Sequence, residues 1–140
     1  MWYSLPPVSF KFFEEIEAWQ DTRSLMKKMR VFYDRARKKR DWTWIDQVNR
    51  SMLSIMANIA EGNDAQTDAE FATFLGYAKR SSAESRSHFY YGYDQGYITE
   101  EEFPTLLEEI KSISRKLASL ISYLRMNRRK TPRSIIKAHK

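Results

Sequence analysis

Histidine occurs twice in the 140 residues, at His88 and His139, and cysteine does not occur, so little catalytic chemistry is open to this chain. A metal site inside a helical bundle asks for Glu-x-x-His on two helices and two further carboxylates. Glu84 would need its histidine at 87, where Ser87 stands. Thiolate sites for metal are excluded by composition. Ser81, Ser82 and Ser85 lie close before His88, an order that suggests a nucleophile and its base. A triad also needs an orienting acid and an oxyanion hole, and small residues for close packing explain these serines better. No glycine-rich loop of the phosphate-binding or dinucleotide-binding type is present. The expectation is a protein with no catalysis, no metal and no cofactor of its own.

Charge offers more. Seven Lys and Arg fall between Arg125 and Lys140 with no acid among them (Arg125, Arg128, Arg129, Lys130, Arg133, Lys137, Lys140). Removing those seven from the 24 basic residues leaves 17 against 18 acidic ones, so the first 124 positions are nearly neutral. Within that body a second cluster stands out: Lys27, Lys28, Arg30, Arg35, Arg37, Lys38, Lys39 and Arg40, against Asp34 alone. Basic runs of this kind attract phosphate and acidic surfaces. Both are read as nucleic-acid-binding candidates, for RNA or DNA, although charged termini are commonly just solvating.

Two further groups have a bland reading beside a functional one. Asn58 and Glu61, at i and i+3, share a face of one helical turn just before Gly62. They are read as structural, with Asn58 bonding a neighbouring loop and Glu61 pairing with an arginine across an interface. Phe89, Tyr90, Tyr91, Tyr93 and Tyr97 could stack bases. Helical spacing sets Phe89 with Tyr93 and Tyr90 with Tyr97 on different faces, so interface packing is preferred.

The elements that position these residues are helices. Pro6 and Pro7 precede an N-cap at Ser9, and a helical pattern runs from there to about 39. Phe12, Ile16 and Trp19, then Leu25, Met29, Phe32 and Ala36, mark its apolar stripe. Asp41 caps a second helix over 42–61, in which Ile45, Val48, Met52, Ile55 and Ile59 alternate steps of three and four and Gly62 is the stop. Thr67 with Glu70 opens a third helix over 68–95 that ends at Gly96, and Thr99 with Glu102 opens a fourth over 100–125. Pro104 belongs to its first turn, where it costs little, and it pushes the regular start of the helix toward Phe103. Phe103, Leu106, Ile110, Ile113, Leu117, Leu120 and Leu124 form a heptad seam. Ala78, Ser81, Ser82, Ser85 and Gly92 allow the third helix a close neighbour. Short connections force antiparallel neighbours, hence one all-α, up-down four-helix bundle over 1–124 with a basic tail over 125–140.

Hydrophobic residues at 42% and charged residues at 30% fit a globular domain. No apolar run approaches the ~20 residues that span a bilayer, and Met1 to Phe10 do not resemble a secretion signal. Without cysteine, a reducing cytoplasm suits the chain, and no membrane partner is expected.

Gln47-Val48-Asn49-Arg50-Ser51, followed by Ser54-Ile55-Met56-Ala57-Asn58-Ile59-Ala60-Glu61-Gly62, resembles the central motif of the four helix bundle proteins, also called the 23S ribosomal RNA intervening-sequence proteins. Supporting matches lie at Phe13-Glu14-Glu15-Ile16, Ala18-Trp19-Gln20, Glu70-Phe71, Phe74-Leu75 and Gly96-Tyr97-Ile98-Thr99. The resemblance extends over roughly 10–124. It departs at Arg80-Ser81, where the family has Gly-Ser, and at 38–44, where Trp42 and Trp44 replace a proline-containing loop. What the resemblance implies is a bundle assembling as a ring-like homo-pentamer. More distantly similar accessory proteins of diversity-generating retroelements bind a reverse transcriptase and nucleic acid, so a protein partner of polymerase type is the alternative expectation.

Overall fold

The computed structural model describes residues 10–126. A 3-10 turn, Phe13–Glu15, leads into α1 (Glu17–Lys28), α2 (Arg30–Lys38), α3 (Trp42–Asn63), α4 (Asp68–Asp94) and α5 (Phe103–Met126). There is no strand among the described residues. Because α1 and α2 meet at Met29 and form one arm, the architecture is a bundle of four helical units. The arm packs on α3 and α5, and α4 packs on the same two helices.

The first unit differs from the expected helix over 9–39 in two places. Ser9 lies outside the described residues, and from Phe10 to Ile16 there is no α-helix. Ile16 takes extended backbone (φ −77°, ψ 120°), which sends its side chain into the core at 2% exposure. A β-branched residue gives up little helix propensity by doing so. Phe12 is therefore exposed instead of continuing the apolar stripe, while Phe13 sets its ring edge-on to Trp19 at 5.0 Å. At Met29 the arm tightens: its N–H reaches the carbonyls of both Leu25 and Met26 at 3.2 Å. The core face continues across the break, with Leu25, Met29, Phe32 and Ala36 all buried.

Caps read from the sequence form as expected. Asp41 accepts from the Trp44 N–H at 3.2 Å, Thr67 Oγ1 from the Glu70 N–H at 3.1 Å, and Thr99 exchanges bonds with Glu102 in a reciprocal capping box. Pro104 is the second residue of α5, where a missing N–H costs nothing, so the helix starts at Phe103 and not at 100. Gly96, at φ +82°, ends α4, and the Tyr97 N–H returns to the Gly92 carbonyl at 2.9 Å.

Gly62 is not a stop. The helix runs through it to Asn63, and the residue is buried against α4. A Cβ there would stand 2.8 Å from Phe74 Cβ and 2.9 Å from Phe71 Cδ1, so the glycine is needed for closeness. At the other end of the same pair of helices, a Cβ on Gly92 would meet Trp44 Cζ2 at 2.5 Å. Between them the serines close the gap with hydroxyls: Ser51 and Ser85 Oγ are 2.8 Å apart, and Ser81 Oγ donates to Ser54 Oγ at 2.9 Å. The small-residue face of α4 thus packs on α3. On α5, Leu106, Ile110, Ile113, Leu117 and Leu124 are buried, with Phe103 and Leu120 at the seam's edge.

Candidate nucleic-acid interface

The basic cluster over 27–40 divides once it is folded. Lys28 Nζ pairs with Glu109 Oε1 at 2.7 Å, and Arg37 pairs with Asp34 one turn away. Arg35 is committed inward. Its guanidinium grips Glu102 through both nitrogens, at 2.7 and 3.2 Å, and donates to the Tyr97 carbonyl at 3.0 Å. This clamp joins α2 to the start of α5. Hydrogen bonds from Arg35 and from the Thr99 N–H hold the Glu102 carboxyl down at about 2, well below its ordinary 4.5. Lys27, Arg30, Lys38, Lys39 and Arg40 are exposed, with no ion pair among the described residues. Arg40 also has φ +57°, the left-handed region, and the Asp41 N–H beyond it returns to the Ala36 carbonyl at 3.0 Å. The end of α2 therefore uses the same closing bond as the end of α4, with arginine where α4 has glycine.

Of the tail candidates, Arg125 is exposed in the last turn of α5. Arg128, Arg129, Lys130, Arg133 and Lys137 lie outside the described residues.

The motif over 47–62 faces two ways. Ile59 and Gly62 are buried; Gln47, Asn58 and Ala60 are half-buried; Arg50 and Glu61 are exposed. Asn58 bonds its own helix, donating to Ser54 O at 2.9 Å and Oγ at 3.1 Å, not to a neighbouring loop. Arg50 lies 3.7 Å from Asp46 on the solvent side. Leu53 on α3 is 49% exposed and Tyr77 on α4 is 43% exposed. Arg80 is exposed, stacking over the Tyr77 ring at 5.8 Å, so the position where the family has glycine is turned outward.

Asp41 is the residue that sequence reasoning underrated. Besides capping α3, it accepts from the Tyr97 hydroxyl at 2.7 Å and from Tyr91 at 3.4 Å. Burial, aided by Asp41, raises the Tyr97 hydroxyl to about 12. Tyr97 does not share a face with Tyr90: α4 has ended and Gly96 turns the chain, so Tyr97 enters the core beside Trp44. Tyr90 stays exposed, its ring edge-on to Phe103 at 5.0 Å.

Nothing resembling a catalytic array is assembled at the serines. Ser85 donates to the Ser81 carbonyl and Ser82 to the Lys79 carbonyl. His88 Nε2 lies 3.5 Å from Glu84 Oε1, on the half-buried edge of α4. Among the described residues no three metal-ligating side chains are gathered together.

An all-α bundle with this motif on α3, its second helical unit, defines a class of protein. A sequence model of the 23S rRNA-intervening sequence protein family matches residues 14–119, and the chain belongs to that family. Its fold is also that of a protein of unknown function from the S23 ribosomal protein family of Bacteroides thetaiotaomicron, at 23% identity and a TM-score of 0.67, covering 74% of this chain and 97% of that one. No curated protein matches it. None of the described helices is long and apolar enough to cross a membrane.

Proposed function

We propose that the protein is a non-catalytic, homo-oligomeric bundle that binds nucleic acid, RNA in particular, through its basic surfaces. The observation that carries this reading is the set of five cations on and just after the α1–α2 arm (Lys27, Arg30, Lys38, Lys39 and Arg40) that the fold leaves exposed and unpaired. Where a charge serves the fold, as at Arg35, it is clamped; these five are not. The basic tail adds to them. If about five phosphates are engaged on a single strand, the binding constant falls with a salt slope near −3.5. Binding is measured across a salt series for the full chain, for a variant neutralised at those five positions, and for one neutralised at Arg128, Arg129, Lys130, Arg133 and Lys137. Loss in either variant identifies its anchor. Binding that is absent at moderate salt, or that is independent of salt, overturns the reading.

Self-association is supported by large apolar side chains that the bundle leaves exposed, Leu53 on α3 and Tyr77 on α4 among them. Exposed aromatic and aliphatic side chains of this kind are what a protein contact buries. A ring of five copies is the assembly that family resemblance suggests. The same exposed residues support the second reading, an adaptor that presents them to a protein partner such as a polymerase.

A further inference from the structure

The turn between α2 and α3 combines features that the fold itself does not use. Lys38, Lys39 and Arg40 are exposed and unpaired, and two residues on, Trp42 is 58% exposed, the largest exposed aromatic side chain among the described residues. Its neighbour Trp44 shows what a structural tryptophan does here: it is buried and donates Nε1–H to the His88 carbonyl at 2.8 Å. Trp42 begins α3, yet the N-terminus is capped by Asp41, so no bare helix end is on offer to an anion. Tyr91, 46% exposed, borders the same turn through its contact with Asp41. Arg40 completes the set, because a side chain is kept at φ +57° where glycine would be the easier residue.

Three free cations beside an exposed indole match the two demands of a single strand, backbone charge and an unpaired base face. A duplex offers phosphates but no free face, and a purely electrostatic site has no use for tryptophan. At this end of the bundle Asp94, Glu100 and Glu101 belong to α4 and the α4–α5 turn. The acids nearer the α2–α3 turn are engaged, Asp41 by the Trp44 N–H and the Tyr97 hydroxyl, Asp34 by Arg37 and Glu102 by Arg35, so a polyanion would be directed to the α2–α3 side. Building on the nucleic-acid reading above, we infer that the α2–α3 turn is a contact for unpaired RNA, in which Trp42 stacks on a base while Lys38, Lys39 and Arg40 hold the flanking phosphates.

The test uses the full chain, a labelled 12-nucleotide oligouridylate, and an RNA duplex of similar length, read by fluorescence anisotropy. Trp42→Ala weakens oligouridylate binding by roughly 5- to 100-fold and leaves duplex binding unchanged; Trp42→Phe restores most of the loss. Arg40→Gly relieves the backbone, so it cannot act by unfolding the protein, and it lowers affinity for both RNAs while reducing the single-strand salt slope by about 0.7. Wild-type oligouridylate binding by Trp42→Ala, or an equal loss on the duplex, overturns the stacking site and leaves the broader nucleic-acid reading standing. No binding of either RNA by the wild-type chain overturns both.

Discussion

Two arginines separated by five residues show how differently the same side chain is used. Arg35 is half-buried and ties α2 to the start of α5 through Glu102 and the Tyr97 carbonyl. Glu102→Gln removes the charge from this clamp and is expected to cost about 1 kcal/mol, less than the full shift in its acidity implies because about a third of the side chain faces water. The sign of the pH dependence follows from a carboxyl held low. The clamp's contribution is complete above pH 4.5 and disappears as the pH falls through about 2. Denaturant melts from pH 5 to 2 should show the wild type losing stability more steeply than Glu102→Gln. Arg40 stands at the opposite limit, exposed and in the left-handed region. Arg40→Gly should raise stability by about 0.5–1 kcal/mol in urea titrations, since glycine adopts this conformation without a Cβ clash.

Along the helices, packing is decided by where side chains are missing as much as by where they are large. The contact between α3 and α4 is closed at Gly62 and Gly92, with the serine pairs between them. Gly62→Ala is expected to destabilise by about 1–3 kcal/mol, because Phe74 Cβ and the Phe71 ring cannot both give way cheaply. On α5, Ile110→Ala should cost about 2–5 kcal/mol by cavity formation, measured by thermal or chemical melts. The periods of three and four that defined α3 and α5 are local, and the buried residues follow them closely. The arm was harder to read. Its apolar stripe spans both α1 and α2, but periodicity does not reveal that Ile16 leaves the helix to reach the core, or that the hydrogen bonding tightens at Met29.

For the whole molecule, Leu53 on α3 and Tyr77 on α4 are large apolar side chains left 49% and 43% exposed, and an assembly would bury them. Light scattering should give a mass that is a multiple of the 16.7 kDa chain. Leu53→Arg with Tyr77→Glu should lower that multiple while the helical circular dichroism is retained. A single-chain mass for the wild type would exclude the oligomer at once. Salt supplies an independent axis: nucleic-acid binding should weaken with ionic strength, whereas an association built on apolar area should not.

The linear chain determined the all-helical class, the caps at Asp41, Thr67 and Thr99, the turn at Gly96 and the buried seam of α5. Each depends on residues within a few positions of one another, and so it can be read from spacing. It also held the family motif over 47–62, although not which half of that motif faces solvent. The tertiary structure decided the remainder. It made Gly62 a packing residue rather than a stop, brought Tyr97 to Asp41, and separated the cations held by carboxylates from those left free. Arg35 and Glu102 are 67 positions apart, so no local pattern joins them. Partners of that kind meet only when the helices pack, because burial fixes the geometry that charge alone leaves open.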